Sequence, residues 1–275
     1  MTEPPPSTSP ALSFGAVADA YDRARPGYPP EAARWLAGTT PARVLELGAG
    51  TGRLTADLVG LGHHVLATDP LEPMLRHLAA RVPDAMAARA VAERIPLPSR
   101  SADVVVSAQA FHWFDLEQAL PEIARVLRPG GEIALVWNER DERIPWVKRL
   151  GDVLGNQEQN TDPTHDLIRS GLFGYVETTS FRFWQPLDRE LLHDLIRSRS
   201  NVAMMTETER QRVLRQADAL YDEYGRGADG MLLPYRTHCF KAVVRPQPEP
   251  EPAPGSRITP PPGDDDTDAL LIDFQ

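Results

Sequence analysis

Residues 44 to 55 read Val44-Leu45-Glu46-Leu47-Gly48-Ala49-Gly50-Thr51-Gly52-Arg53-Leu54-Thr55, and this stretch decides the fold. Its first four residues are typical of a buried strand, the alternating glycines predict a tight turn, and the residues after them open a helix. Glycine lets a backbone approach a ligand because it has no Cβ, and the free N–H groups at a helix start point toward that ligand. The stretch therefore predicts a ligand site.

A second apolar strand follows and ends in an acid. The run His63-His64-Val65-Leu66-Ala67-Thr68-Asp69 places a carboxylate 17 residues beyond Gly52. An acid at that place can accept hydrogen bonds from the two hydroxyls of a ribose. The two strand ends together predict a cofactor of the adenosine type.

The glycine spacing and one acid indicate which cofactor this is. The dinucleotide fingerprint is G-x-G-x-x-G, with a third glycine for close packing beneath a pyrophosphate, whereas this chain has G-x-G-x-G. Glu46, two residues before the first glycine, would repel a pyrophosphate but could orient a cofactor that carries positive charge. S-adenosylmethionine is such a cofactor.

At this point the chain resembles the class I S-adenosylmethionine-dependent methyltransferases over residues 14 to 245. Their first motif is similar to residues 46 to 52. Later motifs follow in order: Asp69-Pro70 for ribose and adenine, residues 92 to 98 for the second motif, and a Pro-Gly-Gly turn within residues 127 to 136. The greatest likeness is to the ubiquinone-biosynthesis and trans-aconitate methyltransferase group. It is carried by Tyr21, Arg25-Pro26, Tyr28-Pro29, Phe111-His112-Trp113-Phe114 and Trp137-Asn138.

The resemblance implies a set of site residues. Many relatives carry an acid at the position of Val91, so adenine contact is expected from backbone and Glu93. His112 is the candidate catalytic residue, and substrate contacts are expected from His112, Trp113, Trp137 and Asn138. The implied cofactor-binding residues are Tyr21, Arg25, Glu46, Gly48, Ala49, Gly50, Thr51, Gly52, Asp69, Pro70, Met74, Ala92, Glu93 and Ala108.

Several roles stay open at this stage. His112 either takes a proton from the acceptor or only shapes the pocket. A carboxylate acceptor would need no base, and an arginine would then matter more. Tyr21 and Arg25 either belong to a lid over the cofactor or precede a rigid connector into a helix. The candidate arginines for a carboxylate are Arg140, Arg143, Arg197 and Arg199.

The order of strand and helix patterns predicts an α/β fold: a Rossmann-like, mostly parallel sheet of seven strands with helices on both faces. The resemblance implies an antiparallel last strand, and the pattern adds a helical insertion at about residues 186 to 228. The predicted strands are Val44 to Leu47, His63 to Asp69, Ala85 to Ala90, Ala102 to Ala108, Gly131 to Asn138, Tyr175 to Trp184 and Met231 to Val244. The predicted helices are Thr51 to Leu61, Glu72 to Arg81, Leu116 to Leu127, Asp188 to Ser198 and Glu207 to Tyr224, with a further helix near Glu31 to Ala37.

Composition narrows the function classes. The net charge is −10, but residues 246 to 275 hold seven acids against one arginine, which leaves the remainder only weakly acidic. Such a surface has no positive electrostatic potential that would attract nucleic acid, so a small-molecule substrate is expected. No apolar run reaches membrane-spanning length and no leader pattern follows Met1, so we expect no membrane contact and a cytoplasmic protein. Cys239 is the only cysteine, and the histidines lack metal spacing, so no metal is implied.

The expected domain runs from residue 13 to 245, between proline-rich tails at residues 1 to 12 and 246 to 275 that are predicted to be disordered. The acidic C-terminal tail is either a docking peptide for a protein partner or a solubilising segment. Two rival functions stay open: a catalytically inactive methyltransferase-like scaffold acting through that tail, and a nucleotide-dependent oxidoreductase.

Overall fold

The computed structural model describes residues 22 to 154, 162 to 199, 202, 204 to 225 and 230 to 247. Within these residues seven strands form one sheet in the order β3-β2-β1-β4-β5-β7-β6. The pairs among β1 to β5 are parallel, and β7 runs antiparallel to both β5 and β6. The strands are β1 (Arg43–Leu47), β2 (His64–Asp69), β3 (Met86–Arg89), β4 (Ala102–Ala108), β5 (Leu127–Arg140), β6 (Phe173–Leu187) and β7 (Met231–Val244).

Helices cover both faces of this sheet. One face carries α1, α2 and α3, whose apolar residues share a core with Val44, Val104 and Ala134; the other face carries α4 and α6, which share a core with Leu45 and Ile133. The alternation of Val44 and Leu45 between the two cores is the period of two of a strand. The helices are α1 (Pro30–Ala37), α2 (Arg53–Gly60), α3 (Glu72–Arg81), α4 (Leu116–Val126), α5 (Pro145–Leu154), α6 (Thr164–Arg169), α7 (Arg189–Arg197) and α8 (Glu207–Tyr224).

The strand order creates a crevice at the carboxyl end of β1. The chain leaves β1 toward β2 and β3, and it returns to the other side of β1 as β4. Loops that leave β1 and β4 therefore diverge to opposite faces, and open α/β sheets bind their ligands at such a switch point. The predicted fold class is confirmed, and it places the glycine turn at the mouth of this crevice.

The predicted insertion between the last two strands consists of α7 and α8. Asp188 caps α7 by accepting the backbone N–H of Leu191 at 2.7 Å, and Thr206 and Glu209 form a capping box at the start of α8. Both helices pack with α5 against the C-terminal end of β6 and the N-terminal end of β7, in a core that contains Leu192, Leu220 and Leu233. This core is separate from the two cores on the faces of the sheet, and it holds the C-terminal end of α7 close to the crevice.

The structure adds two helices, α5 and α6, that the sequence analysis did not predict. In α5 the buried residues Val147, Leu150, Gly151 and Leu154 recur at helical spacing, so a signal was present. Among the six residues of α6 only Leu167 is buried, so the segment has almost no hydrophobic periodicity from which a helix could be predicted. The strand β5 also begins at Leu127, ahead of the predicted start at Gly131.

Outside the described residues lie the predicted tail at residues 1 to 12, all but the first two residues of the tail predicted at 246 to 275, and Tyr21. Among the residues that the structure describes, no helix combines the length and apolar character that crossing a bilayer would require.

Candidate active site

The turn between β1 and α2 has a backbone that favours glycine. Gly48, Gly50 and Gly52 all have positive φ angles, of 69°, 57° and 79°. A Cβ on Gly48 would lie 2.4 Å from Cβ of Ala110, and a Cβ on Gly52 would lie 2.8 Å from Cγ of Leu78. Around Gly50 nothing lies within 4 Å of the corresponding position. Gly48 and Gly52 therefore allow close packing, whereas Gly50 leaves space beside the turn.

Asp69, at the end of β2, holds this turn in place. Its Oδ2 accepts the backbone N–H of Gly50 at 2.9 Å, and its Oδ1 accepts that of Leu71 at 2.8 Å. Burial raises the pKa of Asp69, while these two hydrogen bonds act in the opposite direction. Since a carboxylate oxygen can accept more than one hydrogen bond, both oxygens retain capacity for a ligand hydroxyl.

Glu46, on β1 beneath the turn, is a buried carboxyl group that is only 1% exposed. Its Oε2 accepts a hydrogen bond from Oγ1 of Thr55 at 2.6 Å. Burial raises the pKa of Glu46 to about 8, and the negative charges of Asp57 and Asp69 add to this rise. At neutral pH the side chain is therefore mostly protonated, and a bound cation would favour its ionised form.

A cavity of about 590 Å³ opens over these residues at the carboxyl ends of β1, β2, β4 and β5. Most of the predicted site residues line it. From the predicted cofactor set these are Arg25, Glu46, Gly48, Ala49, Gly50, Thr51, Asp69, Pro70, Met74, Ala92, Glu93 and Ala108. From the predicted catalytic and substrate set they are His112, Trp113 and Asn138.

Two predicted residues do not line the cavity. Trp137 is 2% exposed and lies in the core on one face of the sheet, between the rings of Phe111 and Phe240, with ring centroids 6.2 Å and 5.7 Å away. It points away because side chains alternate along β5. Gly52 is the N-cap of α2 and packs against Leu78. Both residues pack against other side chains in this structure, and the substrate contact of Trp137 and the cofactor contact of Gly52 stay predictions.

His112 lies in the short 3₁₀ helix Phe111–Trp113 that follows β4. Burial lowers the pKa of His112 to about 4, so its imidazole is neutral at physiological pH. Its Nδ1 is buried and has no hydrogen-bond partner in the part of the chain that the structure describes, and its ring lies 4.8 Å from that of Trp113. A neutral imidazole in this position can form a hydrogen bond to a ligand, but it is a weak base.

Asn138 and Gln109 connect the loops around the cavity. The side-chain N–H of Asn138 donates to O of Gly27 at 2.9 Å, and its Oδ1 accepts from the hydroxyl of Thr237 at 2.7 Å. Gln109, which the sequence analysis missed, has φ of 57° and donates through Nε2 to O of Asn138 at 3.0 Å. A strained non-glycine residue beside a cavity is typical of functional sites, but no sequence pattern marks it.

Of the four candidate arginines, two line the cavity. Arg140 ends β5 and Arg199 follows α7, and Arg25 and Tyr235 lie on the same side of the cavity. Arg143 instead forms a double hydrogen bond with Asp141, at 2.6 Å for each contact. Arg197 has a side chain that is 47% exposed and lies 3.7 Å from Asp194.

The comparisons with known proteins agree on one family. A family model described as "Methyltransferase domain" matches residues 45 to 135. An uncharacterized methyltransferase of Mycobacterium tuberculosis is 42% identical over 237 residues, which cover 85% of this chain and 96% of the relative. The chain belongs to the methyltransferase family. A methyltransferase-like protein of Schizosaccharomyces pombe is 34% identical over 244 residues, covering 84% of this chain and 94% of that protein.

A solved structure from Anaeromyxobacter dehalogenans, assigned as a type II methyltransferase, aligns with a TM-score of 0.57 at 27% identity. The alignment covers 80% of this methyltransferase and 97% of that chain. The predicted resemblance to class I methyltransferases and the predicted enzyme class are thus confirmed. The matched residues 45 to 135 include the glycine turn and Asp69 but leave out Arg140 and the helices α7 and α8.

Proposed function

We propose that this methyltransferase binds S-adenosylmethionine in the cavity of about 590 Å³ and transfers its methyl group to a small-molecule acceptor. The observation that carries the proposal is the pair of acids, Glu46 and Asp69, at the ends of neighbouring parallel strands around the glycine turn. Glu46 suits a cationic ligand, and Asp69 suits the two hydroxyls of a ribose.

The residues around the turn fit this cofactor better than a dinucleotide. The pyrophosphate of NAD would lie beside the buried Glu46, and the two negative charges would repel each other in a medium of low dielectric constant. The sulfonium and ammonium groups of S-adenosylmethionine instead bring positive charge. Ionised Glu46 would then be paired rather than buried alone, which removes the main cost of its ionisation.

S-adenosylmethionine supplies a methyl group whose bond to sulfur breaks as the acceptor's lone pair forms a new bond to carbon, leaving the electron pair on sulfur. The protein's part is to align the two molecules and to exclude water. Phe114 and Trp113 form an aromatic wall beside the turn, and aromatic faces attract a sulfonium charge. His112 contributes a neutral ring that can hold the acceptor by a hydrogen bond.

The size of the cavity supports a small acceptor. A volume of about 590 Å³ is within the range of small-molecule sites. The cavity is closed on one side by the core of α5, α7 and α8, from which Leu195 reaches its lining. A site enclosed in this way favours a metabolite that enters whole over a macromolecule that binds on a surface.

Calorimetric titration tests the proposal. Purified protein is titrated in turn with S-adenosylmethionine, S-adenosylhomocysteine and NADH. We expect the first two to bind with a stoichiometry of one, and NADH to give no heat of binding. Binding of NADH alone would overturn the proposal in favour of the oxidoreductase.

A further inference from the structure

We propose that the methyl acceptor carries an oxyanion, a carboxylate or a phosphate, and that this group docks on Arg199 with Arg140 and Tyr235 beside it. The inference rests on the proposed function, because it names the class of the second substrate in the same cavity. It is carried by the position and the surroundings of Arg199.

Arg199 is a buried cation in the lining of the cavity, and it forms no ion pair with any residue that the structure describes. The residue is 8% exposed, and its Nε has no hydrogen-bond partner within the described ranges. Among the residues that the structure describes, no carboxylate lies within 4.0 Å of its guanidinium group. Burying a charge without a partner is costly, and a fold keeps such a group where a ligand supplies the opposite charge.

The groups around Arg199 add positive charge. Arg25 and Arg140 lie close enough to repel it, and this repulsion, after burial itself, lowers the pKa of Arg199 to about 9. The guanidinium group still carries its proton at neutral pH. The charge of Glu142 acts on Arg199 in the opposite direction, but Glu142 is already engaged at 3.1 Å with Nη2 of Arg140. An oxyanion that docks here would meet the guanidinium groups of Arg199 and Arg140.

Tyr235 adds a neutral donor to the same end. Its side chain is 4% exposed, its ring stacks on Phe183 at 5.1 Å between centroids, and its strand position is paired with Arg140. Burial raises the pKa of Tyr235 despite the nearby arginines, so the phenol keeps its proton. A phenolic O–H and planar guanidinium groups are the donors that bind carboxylate and phosphate oxygens best.

This oxyanion end lies apart from Glu46 and Asp69, the two acids proposed for the cofactor. Glu46 and Asp69 end β1 and β2, whereas Arg140 and Tyr235 lie on β5 and β7, on the far side of β4. Arg199 comes from the insertion, outside the residues that match the family model. Arg25 belongs to the residues that the resemblance implies for the cofactor, so the acceptor is assigned to Arg199 and not to Arg25.

The experiment compares Arg199→Gln and Arg199→Lys with Arg197→Gln, a control that removes an exposed guanidinium group from the same segment. Calorimetry with S-adenosylhomocysteine comes first and is expected to give the same Kd for all four proteins. Loss of this binding in every protein would contradict the proposed function itself. Loss in the Arg199 variants alone would assign Arg199 to the cofactor and overturn the inference.

Thermal unfolding then tests the oxyanion site on the protein saturated with S-adenosylhomocysteine. We expect Arg199→Gln to unfold at a higher temperature than the wild type without added anions, because an unpaired buried charge is gone. Citrate or inorganic phosphate should raise the midpoint of the wild type and of Arg197→Gln, but not that of Arg199→Gln. The stronger of the two anions distinguishes a carboxylate from a phosphate. Equal responses in all variants, or none in the wild type, would overturn the inference.

Methyl transfer provides the last readout. A metabolite extract is separated on an anion exchanger before it reacts with radiolabelled S-adenosylmethionine. The wild type is expected to label the retained, anionic fraction, and Arg199→Gln should lower that labelling about 10-fold or more, with partial recovery in Arg199→Lys. Labelling confined to the unretained fraction would show methyl transfer to a neutral or cationic acceptor and would overturn the inference alone.

Discussion

Replacing Glu46 by glutamine is expected to remove a pH-dependent loss of stability from the unliganded protein. In the folded state the pKa of Glu46 is raised from 4.5 to about 8, mainly by burial. Between these two values the folded protein binds a proton that the unfolded chain has lost. Stability therefore falls as the pH rises through this range, the reverse of the usual behaviour of a carboxylate.

The magnitude follows from the two pKa values. Each pKa unit corresponds to about 1.4 kcal/mol, so Glu46 lowers the free energy of unfolding by about 2 kcal/mol at pH 6 and by about 5 kcal/mol at pH 9. The stability of Glu46→Gln relative to the wild type should therefore grow by about 2 to 3 kcal/mol over this interval. The amide of glutamine can still accept the hydrogen bond from Thr55, so little packing changes.

Urea unfolding, followed by circular dichroism at pH 6, 7.5 and 9, measures these free energies. Glu177→Gln is the matched control, because it removes an exposed carboxylate on the edge strand β6. Its stability is expected to run parallel to that of the wild type. Parallel curves for Glu46→Gln as well would show that Glu46 is ionised in the folded protein, which would contradict the raised pKa of this buried carboxyl group.

Three further predictions concern Asp69, the glycine turn and His112. Asp69→Ala should weaken binding of S-adenosylmethionine by about 1 to 3 kcal/mol in calorimetry, with a smaller loss in Asp69→Asn; unchanged affinity in both variants would remove Asp69 from the site. Gly50→Ala should lower the free energy of unfolding by about 1 to 2 kcal/mol through its left-handed backbone. Gly48→Ala should lower the free energy of unfolding by about 1 to 3 kcal/mol more than Gly50→Ala does, because the added Cβ would collide with Ala110. Equal losses in the two variants, measured by denaturant unfolding, would refute that contact. The ring protons of His112, assigned by NMR with His112→Asn, should not shift between pH 5.5 and pH 8, since burial lowers the pKa of His112 to about 4; a midpoint near 6.5 would contradict a buried, neutral ring.

The sequence predicts the glycine turn and the position of Asp69 because local backbone geometry determines both. A glycine turn after a buried strand and an acid after the next strand fix both the chain path and the ligand position. Gly48, Gly50 and Asp69 therefore lie where the sequence places them. Gly52 also lies in the predicted turn, where its missing side chain makes room for Leu78.

The end of the cavity that is proposed to bind the acceptor is formed by contacts between distant parts of the chain. Arg25, Arg140, Arg199 and Tyr235 come from four separate segments, and none of them has a motif that marks it. The sequence names Arg143 and Arg197 as readily as Arg140 and Arg199. Only the fold shows that Arg143 pairs with Asp141 and that Arg197 is half exposed. Trp137 illustrates the same limit. Adjacent residues of a strand point to opposite faces of the sheet, so one residue can line the cavity while the next packs in the core.

A crystal structure of the protein with S-adenosylhomocysteine tests the central claim most directly. We expect density for the ligand beside Gly50, with the ribose hydroxyls within hydrogen-bond distance of Asp69 and the amino-acid end toward Glu46. The ligand bound elsewhere, or bound in this cavity with its ribose away from Asp69, would contradict it.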